Sequence, residues 1–109
     1  MNIPLVEHIH IMRISSVHVI TRRRLKEFWH KHPTAEPPLK TWYKLTVKAD
    51  WKNFADLRVT FSSADYVAPY VVFDVGGNNY RVIAKVEYKF KKVFIAHVFT
   101  HPEYERWNA

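Results

Sequence analysis

The segment Thr100–Tyr104 places two side chains that can exchange protons near the end of the chain: the imidazole of His101 and the phenol of Tyr104. Cleavage of an RNA phosphodiester needs one group to take the 2′-hydroxyl proton, one to protonate the departing 5′ oxygen, and a cation for the phosphate. His101 and Tyr104 fit the first two roles, and Arg81 fits the third. A histidine at the start of a terminal helix is also common as a capping or packing residue.

A further cation lies on the strand predicted around Arg81. Successive strand residues point to opposite faces, so one face carries Arg81, Ile83, Lys85 and Glu87. We predict this face to be charged and the other face to be packed. We expect Arg81 and Lys85 to lie close enough to contact neighbouring phosphates, the guanidinium as a fork and the ammonium as a point charge. Lys85 is therefore a candidate catalytic residue. The alternative is a surface ion-pair set with Glu87.

Three consecutive arginines, Arg22, Arg23 and Arg24, begin the first predicted helix. The helix dipole disfavours cations at this end by about 0.3 to 1 kcal/mol each, so stability alone does not explain them. Their placement indicates contacts with phosphates or acidic side chains, and we treat them as RNA-binding candidates; a solvated charge cluster is the alternative. The second predicted helix carries a lysine ridge at four-residue spacing, which is often only solubilising: Lys40, Lys44 and Lys48.

No metal or cofactor site is expected from the sequence. The chain has no cysteine, which excludes thiolate ligands and disulfides. His30 and His32 are two residues apart and point to different faces of a helix, while His8 and His10 lie near the start of the chain. The glycine pair Gly76-Gly77 is predicted to form a β-turn rather than a phosphate-binding loop.

The composition indicates one basic globular domain. The chain has 109 residues, a formal net charge of +7 and 48% hydrophobic residues, enough for one core and too apolar for a disordered chain. A basic surface attracts polyanions such as nucleic acid, with anionic membranes and acidic protein segments as alternative partners. The sequence contains neither an apolar run of about 18 residues nor a secretory signal pattern, so we expect a soluble, unexported, cytoplasmic protein without a membrane partner.

The N-terminal half predicts one strand and a helical hairpin. Residues 1–11 precede a second methionine and are interpreted as a possible extension, with a single domain over residues 12–109. Residues 17–20 are β-branched and predict a strand, after which Thr21 is expected to cap a helix running to about Lys31. Pro33 ends that helix, and Pro37-Pro38 suits the start of a second one.

The C-terminal half predicts a three-stranded antiparallel meander. Residues 49–69 show weak periodicity and predict a loop or short helical turn. Residues 70–75 and 80–88 predict two strands joined by Gly-Gly-Asn-Asn, and residues 93–100 predict a third, followed by a short terminal helix. The fold class is therefore α+β, with the two helices packed against one face of the sheet.

Several of these residues together resemble the HigB toxins of the RelE superfamily, over about residues 12–107. The most specific groups are Gly-Gly-Asn, Tyr-Arg and Thr-His-x-Glu-Tyr, in that order. The full set of matching groups is Val19–Leu25, Trp42-Tyr43, Ala49–Trp51, Phe73–Asn78, Tyr80-Arg81, Phe94-Ile95 and Thr100–Tyr104.

The resemblance implies a RelE-like fold and a metal-independent endoribonuclease that cuts mRNA on translating ribosomes and so inhibits translation. It also implies a HigA-type antitoxin with a helix-turn-helix domain, whose complex with the toxin binds operator DNA. The resemblance puts Arg81 at the phosphate-binding arginine, Tyr104 at the catalytic tyrosine, and His101 at a basic or acid–base position. Some relatives carry paired lysines on the strand before the hairpin turn, which residues 70–74 lack, so another base is needed. Its candidates are Lys85, Lys52, Lys48 and Arg58.

Two other classes of function remain open at the level of sequence. The first is a non-catalytic RNA-binding or ribosome-associated module, whose basic face binds phosphates in a salt-sensitive way without cutting. The second is an interaction protein whose basic surface serves only an acidic partner. Discrete cleavage ends in mRNA distinguish the nuclease from both.

Overall fold

The computed structural model describes residues 17–109, so the interpretation of residues 1–11 as an extension falls outside the described part. The described chain is α+β and contains a five-stranded mixed sheet. Its elements are β1 (His18–Ile20), α1 (Arg23–Lys31), a 3-10 turn (Pro33–Ala35), α2 (Glu36–Val47), α3 (Phe54–Thr60), β2 (Asp65–Val67), β3 (Tyr70–Val75), β4 (Tyr80–Glu87), β5 (Lys92–Thr100) and α4 (His101–Trp107).

The predicted meander forms the centre of a larger sheet. Strands β3, β4 and β5 pair antiparallel, as predicted, within the order β1-β5-β4-β3-β2. The first strand, β1, pairs in parallel with β5, and β2 pairs antiparallel with β3. The sequence thus predicted three of these strands as a meander and the first as a strand, but it did not predict how the first joins the sheet.

The two predicted helices are present, with a 3-10 turn between them that the sequence did not predict, but the predicted cap is wrong. A proline begins the 3-10 turn, and two more lie in the first turn of α2 directly after Glu36, where a missing N–H is tolerated. Thr21 does not cap α1 with its side chain, because its backbone adopts a positive φ of 69°. Its carbonyl oxygen instead accepts a hydrogen bond from the Arg24 amide at 3.0 Å.

Residues 49–69 contain a helix and a strand where the sequence predicted a loop or a short helical turn. The side chain of Asn53 caps α3 by accepting a 2.9 Å hydrogen bond from the Asp56 amide. Strand β2 is only three residues long, and two of these residues are exposed. A strand this short shows no alternation of apolar and polar residues, so pairing with β3 is what defines it.

The main core lies between the two helices of the hairpin and one face of the sheet. Leu25, Leu39 and Trp42 from α1 and α2 pack with alternate strand residues such as Phe73 and Val82. None of the helices among residues 17–109 is long and apolar enough to cross a membrane.

The opposite face of the sheet is also partly buried, which corrects the expectation that this face of β4 is only charged. The cross-strand pair Val72 and Ile83 is buried there, and Arg81 is only 6% exposed. Helix α4 packs against β4 and β5 on this side, with the Trp107 ring 6.0 Å from that of Phe99. Arg81 therefore sits beneath a terminal helix rather than on an open surface.

Thr46 in α2 offers a test of how the core is packed. Its side chain is fully buried, and its hydroxyl has no hydrogen-bond partner among the described residues. Replacing it with valine keeps nearly the same shape and removes a buried polar atom, so we expect Thr46→Val to raise the free energy of unfolding by about 1 kcal/mol. Urea denaturation of both proteins measures this; a less stable variant would show that the hydroxyl is satisfied.

Candidate active site

Arg81 is held by protein groups on every edge of its guanidinium. Its Nε lies 3.0 Å from Oδ1 of Asp74, the residue directly opposite on β3. Nη1 donates to the carbonyl oxygens of Asn78 at 3.2 Å and Tyr80 at 3.1 Å. Nη2 donates to Asn78 Oδ1 at 2.7 Å and pairs with His101 Nδ1 at 3.0 Å. The terminal nitrogens carry four N–H groups and make these four contacts, so the cation is fixed in place.

The turn between β3 and β4 positions Asn78 beside Arg81. Gly76 and Gly77 adopt positive φ angles of 68° and 69° between β3 and β4. A Cβ atom at Gly76 would also lie 3.1 Å from the Tyr80 ring, which is closer than an ordinary contact, so glycine suits this position in space as well as in conformation. This turn brings Asn78 back over Arg81, which closes the hydrogen-bond set.

His101 lies between a cation and a carboxylate. Its Nδ1 faces the Arg81 guanidinium, and its Nε2 lies 3.1 Å from Oε2 of Glu105, one turn later on α4. Because a guanidinium can only donate, Nδ1 must accept, which places the imidazole proton on Nε2 and directs it to Glu105. Both ring nitrogens are thus engaged with protein groups, and His101 orients Arg81.

Tyr104 faces Arg81 from α4. The guanidinium carbon lies 5.4 Å from the centre of the Tyr104 ring. Burial raises the pKa of the Tyr104 phenol, and the charges of Asp65 and Asp74 raise it further, while Arg81 opposes them. The phenol therefore stays protonated at neutral pH, which suits a proton donor.

Arg81 and Tyr104 open onto a shared cleft of about 350 Å³. Arg58 from α3 also reaches this cleft, where its Nη2 donates to the carbonyl oxygen of Ser62 at 2.7 Å. Two cations and two carboxylates meet here, and Asp74 is already paired with Arg81. The cleft is lined by Phe54, Arg58, Ser63, Ala64, Asp65, Val72, Asp74, Arg81 and Tyr104.

The remaining predicted cations lie elsewhere. Lys85 is four residues from Arg81 along β4, a separation of about 13 Å along the strand, and it does not line the cleft that Arg81 and Tyr104 share. It is exposed and lies 3.7 Å from Glu87, as the alternative interpretation predicted. Lys48 is exposed at the end of α2. Lys52 lines a separate hollow beside Tyr88.

The three arginines at the start of α1 do not form one surface. Arg22 and Arg23 line a groove between α1 and α2. Arg24 is instead close enough to His97 of β5 for its charge to affect that imidazole. Burial lowers the pKa of His97 most, and the charge of Arg24 lowers it further. Consecutive helical residues are about 100° apart around the axis, so three in a row cannot share one face.

The lowered pKa of His97 predicts how the stability of the chain depends on pH. Because the folded chain keeps His97 neutral below its ordinary pKa of 6.5, the unfolded chain binds more protons. Its contribution to stability is therefore lost as the pH falls from about 6.5 through the folded pKa. We expect the wild type to lose more stability than His97→Gln between about pH 7 and about pH 5 in thermal unfolding. Equal losses would show that His97 is not desolvated.

Sequence reasoning missed the partners that position Arg81 and His101. The register of a hairpin with a four-residue turn pairs Asp74 with Arg81, so Asp74 could have been found from the predicted strands. Glu105 is four residues after His101 on a predicted helix, which is contact spacing. Asp65 had no such signal, because its position depends on β2. No cluster of three or more His, Asp or Glu residues suited to a metal occurs within residues 17–109.

The sequence of this chain is similar to those of known proteins. Residues 35–107 match the family described as HigB_toxin, RelE-like toxic component of a toxin-antitoxin system. The chain is 34% identical over 96 residues to the mRNA interferase toxin HigB of Escherichia coli K12, covering 85% of this chain and 92% of that relative. It is 31% identical over 93 residues to the mRNA interferase HigB of E. coli O6:H1 strain CFT073, covering 83% and 90%.

The match covers more than half of the chain, and the relatives align over most of both lengths. The chain therefore belongs to the HigB toxin family, the toxic components of toxin–antitoxin systems. Relatives in this family carry the name mRNA interferase.

Proposed function

We propose that this chain is an mRNA endoribonuclease that inhibits translation by cutting messages on the ribosome, and that a HigA-type antitoxin neutralises it. The observation that supports this most strongly is the convergence of Arg81 and Tyr104 on one cleft, 5.4 Å apart. Family membership supports the toxin role. The functional domain spans residues 12–109, has a RelE-like fold, and acts in the cytoplasm, where translated mRNA is found.

The cleft supplies groups for metal-independent cleavage through the 2′-hydroxyl. Asp65 is the cleft carboxylate that has no arginine or lysine partner among the described residues, so it accepts the 2′-hydroxyl proton. The 2′ oxygen attacks phosphorus and the bond to the 5′ oxygen breaks. Tyr104 protonates that leaving oxygen, which leaves a 2′,3′-cyclic phosphate and a 5′-hydroxyl. Proton return from Asp65 through water restores both groups without a cofactor.

Cations stabilise the charge that develops on the phosphate. Arg58 is exposed at the mouth of the cleft and provides the direct phosphate contact. Arg81 lies deeper and acts as a fixed positive charge, since its terminal N–H groups already bind Asn78, Tyr80 and His101. A preorganised charge of this kind needs no rearrangement during the reaction. His101 is then a positioning residue.

One observation favours the non-catalytic alternative. The ion pair of Arg81 with Asp74 and its hydrogen bond with Asn78 are equally consistent with a purely structural arginine under a terminal helix. Such an arginine would suit a module that binds RNA without cutting it. The two functions differ in their products. A binding module leaves mRNA intact, whereas the nuclease leaves fragments with 5′-hydroxyl ends.

Induced expression tests the proposed function. We expect growth to stop when the chain is produced alone and to resume when the antitoxin from the same operon is co-produced. Polysomal mRNA should be fragmented before growth stops. Growth arrest with full-length mRNA would favour the binding module, and normal growth at a high protein level would contradict the toxin role. We expect the operon to be repressed only by the complex of toxin and antitoxin, because the antitoxin is the component that binds operator DNA.

A further inference from the structure

A large concave surface among the described residues lies away from the candidate active site. It is a groove of about 940 Å³ between α1 and α2. The inner sides of these helices pack on the sheet face that carries Phe73 and Val82, whereas Arg81 lies on the other face. The groove and the cleft therefore open on opposite sides of the molecule.

The groove has an apolar floor. Leu25 lies at its base with only 2% exposure, and Trp29, Tyr43 and Val47 are half-buried along it. The aromatic rings are held in place by cations at the rim. The Arg22 guanidinium lies 4.7 Å from the centre of the Tyr43 ring and donates a 3.2 Å hydrogen bond to its hydroxyl. A fixed floor of this kind is preorganised to receive apolar side chains.

The rim of the groove is strongly basic. Its charged residues are five cations and one carboxylate: Arg22, Arg23, Lys26, Lys40, Lys44 and Glu36. Glu36 is neutralised by Lys40 at 2.6 Å. Lys26 on one wall and Lys44 on the other make no ion pair with any described residue. The groove therefore pairs a hydrophobic base with unmatched positive charge on both walls.

We propose that this groove binds an acidic amphipathic α-helix of the antitoxin. The wall provided by α1 is about 13 Å long, which matches two to three turns of a partner helix. The apolar side of such a helix fills the floor, and its carboxylates meet Lys26 and Lys44. The inference rests on the proposed toxin–antitoxin function for the identity of the partner. It adds that the antitoxin is anchored on the helical layer, away from the cleft.

RNA fits this groove less well than a protein helix does. Single-stranded RNA binds through bases stacked flat on ring faces along a cationic track, but Lys40 and Arg22 each lie over one face of the Trp29 and Tyr43 rings. Apolar side chains do not need a free ring face, because they can also pack against ring edges. The groove is also separated from the cleft by the sheet. RNA held in the cleft for cutting therefore does not continue directly into the groove.

Charge reversal on the two walls tests the proposal. The variant Lys26→Glu/Lys44→Glu changes two exposed residues that contact no candidate catalytic group. We expect it to arrest growth like the wild type when expressed alone, and to bind the antitoxin of its operon about tenfold or more weakly in calorimetry. The matched control, Lys89→Glu/Lys92→Glu, makes the same charge change at the far end of the sheet. It should bind the antitoxin within about twofold of the wild type.

The other outcomes are separable. If both double variants bind the antitoxin equally weakly, the effect is a general one of charge and the proposed binding site in the groove is wrong. Wild-type affinity in the groove variant would also contradict the proposal. Selective loss of binding to a single-stranded RNA oligonucleotide in the groove variant would assign the groove to RNA instead. A concentration-dependent dimer abolished by the groove variant would assign it to a second copy. Absence of growth arrest by the wild type counts against the proposed function alone, because the calorimetric comparison still reports on the groove.

Discussion

Replacing Arg81 with alanine is expected to reduce RNA cleavage by about 1000-fold, because a fixed cation beside the transferred phosphate stabilises charge that develops only in the transition state. The same change leaves Asp74, Asn78 and His101 without their shared partner. Arg81 is almost fully buried, whereas the Asp74 side chain is 31% exposed and can recover some hydration. The free energy of unfolding should therefore fall by about 2 to 3 kcal/mol.

Two controls separate the chemistry from the folding of the Arg81 variant. Activity is measured per folded molecule, with the folded fraction taken from denaturation curves. The variant Asp74→Asn keeps an oxygen next to Nε and keeps Arg81 in place, so it should lose some stability and most of the activity should remain. Cleavage by folded Arg81→Ala at the wild-type rate would show that the arginine serves only the fold.

Replacing Tyr104 with phenylalanine is expected to slow cleavage with a smaller loss of stability than Arg81→Ala causes. The ring stays over the Arg81 guanidinium, while the hydroxyl, which makes no hydrogen bond with another described residue, is removed. No buried group loses a partner, so stability should change by less than about 1 kcal/mol. Loss of the proton donor to the 5′ oxygen should slow cleavage by about 100- to 1000-fold. Single-turnover cleavage of a ribosome-bound message measures the rate.

The outcome at Tyr104 also distinguishes two roles for the phenol. A donor is needed most when the leaving group is a poor one, so a substrate whose 5′ oxygen is replaced by sulfur should restore most of the rate to Tyr104→Phe. The Arg81→Ala variant should not recover with this substrate, because the phosphate charge is unchanged. Absence of recovery in Tyr104→Phe, as in Arg81→Ala, would assign the tyrosine to phosphate binding instead.

The elements with strong local signals were predictable from the sequence. Alternation and the Gly-Gly-Asn-Asn turn specify the β3–β4 hairpin and its register, and the Thr100 and Glu103 pair caps the terminal helix by a reciprocal pair of hydrogen bonds. These patterns also brought Arg81, His101 and Tyr104 together, since β4 and β5 are antiparallel neighbours. Proximity along a predicted sheet was thus sufficient to place these three residues of the candidate site near one another.

The environment of those residues was not predictable in the same way. Arg81 is buried because α4 folds back over the sheet, and Asp65 reaches the cleft because β2 extends the sheet beyond β3. Both facts depend on tertiary packing of short elements with weak periodicity. The distance of Lys85 from the cleft follows from strand geometry, since a strand rises about 3.3 Å per residue and Lys85 is four residues from Arg81.

Mapping the 5′-hydroxyl ends of cellular mRNA after induction, with the wild type and Tyr104→Phe produced at equal levels, tests whether the chain cuts mRNA through Tyr104. We expect discrete new ends within translated messages for the wild type and their near-complete loss for the variant, with both proteins folded. New ends at the same positions and abundance in both samples, or growth arrest by the wild type without new ends, would contradict it.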